Sequence, residues 1–193
     1  MKRIHKSFLY RKLMLLGLVG LFGGTSLVQA LTIQSATLDE ITNESPLVVQ
    51  GEIIDRVSQW DNAQRNIYTY NTLRIQRVIK GEYTPETVVV RELGGRVGEV
   101  SARVNGLRYL EQGDKVVLFL RATAEEEVYK IHSFALGRFS VVTHDGVTEV
   151  RHALGDSKAF QYQDEMAPQD ISDKAPSMEL DRFIRKVTQV KQK

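Results

Sequence analysis

From residue 47 to residue 151, apolar and polar positions alternate with a period of two in run after run, and that period predicts β-strands. The run Leu47 to Val57 is rich in β-branched residues, with Gly51 inside it as a predicted bulge or bend. Polar residues Asp61 to Asn66 supply a turn before a second long run, Ile67 to Ile79, so the two predict a hairpin. In the second run Ile67, Thr69, Asn71, Leu73 and Ile75 share one face, while Tyr68, Tyr70, Thr72, Arg74 and Gln76 share the other. The phase slips at Arg77-Val78-Ile79, which predicts another bulge. Thr87 to Leu93 continues as a strand, Gly94 to Gly98 breaks it, and Glu99 to Asn105 alternates weakly as a short edge strand. Lys115 to Arg121 is the most apolar strand, followed by a solvated tip at Glu125 to Glu127. Val128 to Phe134, Arg138 to Thr143 and Val147 to Arg151 complete the set, the last two joined by the turn signal His144-Asp145-Gly146.

Two stretches carry a helical pattern instead. Thr37 to Asn43 has a capping threonine, acidic residues in its first turn, and Leu38 and Ile41 three apart. Near the C-terminus, Leu180, Phe183, Ile184, Val187 and Val190 form one apolar face of a helix predicted within 177–193, with Ser177 as its N-cap. Between strands and helix, 155–176 is polar, contains proline and reads as an irregular connector. Seven or eight short antiparallel strands with a short N-terminal helix and a C-terminal amphipathic helix predict a mainly β chain. The expected architecture over 31–154 is a small antiparallel β-barrel of the oligonucleotide/oligosaccharide-binding (OB) type, with an immunoglobulin-like sandwich as the alternative.

The first thirty residues stand apart from this pattern. Lys2, Arg3, Lys6, Arg11 and Lys12 precede the apolar run Leu13 to Phe22, and Val28-Gln29-Ala30 offers a small residue for cleavage. This is the three-part pattern of a secretory signal peptide, 1–30, and it predicts an extracytoplasmic product, periplasmic or secreted. The apolar run falls short of the about 20 residues that span a bilayer, so no stable membrane span is expected after cleavage, an uncleaved anchor being the alternative. Cleavage also changes the charge: of 26 Lys plus Arg, those five leave with the signal, and 21 remain against 24 Asp plus Glu. The formal charge of +2 is thus a property of the export segment, and nucleic acid is not an expected partner. With no cysteine, the chain has neither a disulfide framework nor a thiolate metal site.

Candidate chemistry is sparse. His132, His144 and His152 remain after cleavage, without an H-E-x-x-H spacing. His144 and His152 flank the last hairpin, so they could meet across its base near Asp145 or Asp156; surface histidines without a metal role are the plainer reading. Gly94 to Gly98 lacks the Lys-Ser/Thr of a phosphate loop, and no serine sits in a G-x-S-x-G elbow. What remains are candidate contact residues: Trp60, Tyr68 and Tyr70 around the first hairpin, and Arg96 and Arg103 on the glycine-rich loop.

The ordered set Leu47 to Ile53 with its central glycine, Thr69 to Lys80-Gly81, Val88 to Arg91, and Gly113-Asp114 leading into Lys115 to Leu120 resembles exported bacterial proteins of uncharacterised function. More distantly it resembles the netrin-like, OB-type domain of tissue inhibitors of metalloproteinases. That resemblance implies a barrel; the inhibitors' N-terminal zinc-chelating cysteine has no counterpart here. The functional expectation is therefore an exported, non-catalytic interaction or binding module with a protein or envelope partner and no cofactor. The alternatives are a metal-dependent or other hydrolase drawing on His144 and His152, and a structural cell-envelope protein whose terminal helix docks another chain.

Overall fold

The computed structural model of the protein describes residues 36–104, 108–153, 160–161 and 177–190, so the predicted signal segment and most of the predicted connector lie outside the described residues. Strand β1 (Ala36–Thr37) leads directly into helix α1 (Leu38–Glu44). Thr37 and Glu40 start the helix reciprocally: the Glu40 N–H donates to Thr37 Oγ1 at 3.2 Å, and the Thr37 N–H donates to Glu40 Oε2 at 2.7 Å. Leu38, Ile41 and Thr42 turn inward.

Strands β2 (Leu47–Trp60) and β3 (Ile67–Lys80) form a long antiparallel hairpin whose register runs from Trp60 opposite Ile67 to Val48 opposite Lys80. Three register shifts interrupt it, at Val48/Val49, Gln50/Gly51 and Ile53/Asp55. The first two fall at the phase slip of β3 and at Gly51, where a Cβ would collide with the Arg74 carbonyl oxygen. Bulges of this kind bend a strand and increase its twist, which lets a strand of 14 residues curl around a core.

β4 (Thr87–Leu93) pairs antiparallel with β3, and β5 (Gly95–Val97) with β6 (Val100–Ala102) form a small separate hairpin where one weak edge strand was expected. β7 (Lys115–Ala122) pairs with β2, and β8 (Val128–Ile131) pairs antiparallel with β7. β8 also pairs in parallel with β4, through Val89 opposite Val128 and Val90 opposite Tyr129. These links close a ring, β2-β3-β4-β8-β7. Numbered within the ring, the strand order is 1-2-3-5-4-1 with the third and fifth parallel, the connectivity of an OB-type barrel rather than of a sandwich.

Beyond the ring the chain makes a 3-10 turn (Phe134–Gly137), entered through left-handed backbone at Ser133 and Phe134, and this stops β8 at Ile131 instead of Phe134. β9 (Arg138–His144) and β10 (Val147–His152) extend the sheet from β7. β11 (Phe160–Gln161), inside the predicted connector, pairs in parallel with β1. Ser177 is not an N-cap: it belongs to β12 (Ser177–Glu179), which pairs with the outer edge of β10 and satisfies backbone groups that would otherwise be unpaired. Helix α2 (Leu180–Gln189) then begins after Glu179.

Inside the ring, Val49, Ile53, Leu73, Val90, Leu110 and Leu118 form the main core. On the other side of β7, Phe119, Phe139 and Phe183 pack in tilted and edge-on pairs with centroids 4.8–6.2 Å apart, so the apolar face of α2 is covered by its own chain. No described helix is long and apolar enough to cross a membrane.

Candidate functional site

The inward and outward phases of β3 and β4 decide what this part of the ring can hold. Inward, Val88 and Val90 are followed two residues later by Glu92; outward, Arg91 and Leu93 stand opposite Tyr70 and Tyr68. β4 and β8 pair only at Val89–Val128 and Val90–Tyr129, and past these residues the two strands border a cavity of about 440 Å³. Its walls are apolar, from Tyr68, Leu93, Tyr109, Ile131 and Phe134. Leu93 and Phe134 are 38% and 55% exposed, so the cavity presents apolar surface to solvent.

Glu92 and Arg138 are the buried charges of the cavity, with side chains 14% and 3% exposed and Oε1 and Nη1 3.6 Å apart. Glu92 Oε2 also accepts from Asn71 Nδ2 at 3.0 Å and from the Leu110 N–H at 3.2 Å. Burial raises the Glu92 carboxyl above its ordinary value, opposed first by the Arg138 charge. The same burial lowers the Arg138 guanidinium, opposed first by Glu92. Arg138 also donates to the carbonyls of Arg108 and Tyr109, tying the loop before β7 to the cavity.

Three further cations line the cavity: Arg91, Arg108 and Lys130. Arg91 lies 4.4 Å above the Tyr68 ring and donates through Nη1 to Glu125 at 3.1 Å. Glu125 also accepts from Tyr70 Oη at 3.1 Å, so the turn between β7 and β8 folds against the outer face of β3 and β4. Arg108 Nη2 donates to Asp114 at 3.2 Å.

The residues singled out in the sequence separate here. Tyr68 lines the cavity, and Tyr70 stands beside it in the row Val57, Tyr70 and Arg91 across three strands. Trp60, 37% exposed, ends β2 outside the cavity lining. Arg96 donates to the Gly98 carbonyl within its own hairpin, and Arg103 is exposed just beyond β6; neither lines the cavity. The Gly94-Gly95 pair that precedes them is a close crossing: Gly94 N–H donates to the Ile67 carbonyl at 2.7 Å, and Thr69 Oγ1 donates to the Gly94 carbonyl at 2.7 Å.

His144 and His152 do not meet. His144 is exposed beside Asp145 at the tip of the β9–β10 hairpin, whereas His152 is buried at its other end, Nε2 2.9 Å from the Leu136 carbonyl and its ring against Phe139. The paired strands hold them apart by the length of the hairpin, which corrects the expectation that they face one another. Among the described residues no group of three or more His, Cys, Asp or Glu is placed to hold a metal ion. His132 is buried beside α1, with Nε2 3.4 Å from Glu44.

Glu92 carried a signal that the alternation alone does not exploit, a charge in phase with the buried Val88 and Val90, whereas Arg138 opens its strand in phase with the half-buried Ser140 and has no such mark. Comparison with protein-family models and with curated proteins gives no match to this chain.

Proposed function

We propose that the protein is an exported, non-catalytic binding module of OB-type fold that engages a protein of the cell envelope through this cavity and the outer face of β2 to β4. The observation that carries the reading is the cavity itself: apolar walls with exposed Leu93 and Phe134, a mutually neutralised Glu92–Arg138 pair, and three cations at its border. OB-type barrels use this side of the ring and the turns flanking it for ligands, and here the corresponding turn carries Glu125 onto Tyr70 and Arg91. The extracytoplasmic setting rests on the signal-like pattern of 1–30. The ring connectivity supports an OB-type barrel, and protease inhibition is no part of the proposal, because the chelating cysteine of the netrin-like inhibitors has no equivalent.

A docking role for the terminal helix is less well supported than this, since Phe183 and Val187 are buried in the chain's own core. A photo-crosslinking residue placed at Leu93 or at Phe134 in the host cell should give discrete adducts with a protein, and the same residue at exposed Val147 should not. Adducts absent from both positions would remove the site from consideration.

A further inference from the structure

The charges lining the cavity are unevenly satisfied. Glu92 is occupied by Arg138, Asn71 and the Leu110 N–H. The cations keep donors in reserve: Arg91 gives Glu125 only Nη1, Arg108 gives Asp114 only Nη2, and Lys130 Nζ has neither an ion pair nor a hydrogen bond among the described residues. The cavity therefore favours an anionic group at its border and an apolar group between Tyr68, Tyr109 and Phe134.

Its backbone adds a second constraint. β4 and β8 cease to pair after Val90 and Tyr129, yet Arg91, Glu92 and Leu93 of one and Lys130 and Ile131 of the other border the same cavity. Strand edges that part in this way accept an extended chain, as in recognition by strand addition. A free chain end unites these features in one residue, since it presents an extended backbone, an apolar side chain and a carboxylate together. The volume of about 440 Å³ lies at the smaller end of the roughly 300–1,000 Å³ typical of ligand clefts, which suits a chain end better than a folded surface.

We propose that the cavity captures the free C-terminus of a partner protein ending in an apolar or aromatic residue, its carboxylate held by Arg91, Arg108 and Lys130. This rests on the binding-module reading given above and names its ligand.

The test uses the full chain and two resins of N-terminally tethered random hexapeptides ending in Phe, Leu or Val, one with free carboxylates and one with C-terminal amides. Retention on the acid resin should exceed that on the amide resin by about tenfold, the worth of one hydrogen bond to a charged group, and should fall as salt rises. The exposed-site double variant Lys130→Gln/Arg108→Gln should lose most of that retention while its urea unfolding midpoint is unchanged. Equal retention on both resins, none included, overturns the proposal, as does full retention by the double variant. Displacement by decanoate as readily as by a soluble acetylated peptide acid overturns it in favour of a fatty-acid site. If crosslinks from Leu93 and Phe134 to a protein persist through such a failure, the ligand class is wrong and the module reading stands; if they are absent, the module reading fails first.

Discussion

Glu92 and Arg138 confront each other inside an apolar ring, and each is tolerable there only because of the other. Replacing Glu92 with leucine leaves a guanidinium with a 3% exposed side chain and without its ion-pair partner, for which the expected loss is about 3–5 kcal/mol in urea unfolding. The double variant Glu92→Leu/Arg138→Leu should recover a large part of that loss, because the unpaired charge is gone. The buried histidines give the pH dependence. Burial holds His132 and His152 below the ordinary imidazole value of 6.5, against the opposing pull of Glu44 on His132 and with the help of Arg121 and Lys130. The unfolded chain takes up those protons first, so their contribution is complete above about pH 6.5 and is lost as pH falls through the lower folded values. Glu92 works in the opposite sense: its raised carboxyl contributes fully below the ordinary 4.5 and loses that contribution as pH rises through the folded value. Unfolding midpoints measured from pH 7.5 down to pH 5.5 should therefore decline, and His152→Gln should make the decline shallower.

At the scale of elements, the Gly94-Gly95 crossing shows how a small segment fixes a larger one. Both glycines have positive φ, 106° and 138°, and a Cβ on Gly95 would strike the hydroxyls of Ser58 and Thr69. Gly95→Ala is expected to cost about 1–3 kcal/mol, read from the same urea midpoint, with Gly98→Ala as the milder comparison because its Cβ would meet open space. The strands themselves were legible from local pattern: Ile67, Thr69, Asn71 and Leu73 are buried on the phase that alternation assigns inward, and the slip at Arg77 to Ile79 coincides with a register shift. Partnerships between distant strands were not legible, because the pairing of β4 with β8 links residues almost forty positions apart and leaves no mark on either run. The cavity follows from that pairing and from where it ends, so sequence reasoning reached Tyr68 and Tyr70 but not Glu92, Lys130 or Arg138. Ser177 was misread for a related reason: a good capping residue is also free to complete a sheet when an unpaired strand edge lies beside it.

Over the whole molecule, β7 serves two cores at once. Leu118 and Leu120 face the ring, while Phe119 faces Phe139 and Phe183, so helix α2 seals the side of the sheet that the ring does not enclose. Phe183→Ala should destabilise the chain by about 3–5 kcal/mol, and near-ultraviolet circular dichroism should show the aromatic cluster loosened.

The two pairs that join β4 to β8 also make the ring a loop of chain closed by a very short clasp. Closure between segments so distant in sequence comes late in folding, since most of the loop entropy must be spent before the clasp contributes anything. In the native state the same clasp should be the first place to open, with those amide hydrogens of β8 that face β4 rather than β7 exchanging faster than those of β2 and β3. A chain end lying between the parted strands would lengthen the clasp, so occupancy should register as slowed exchange at those amides.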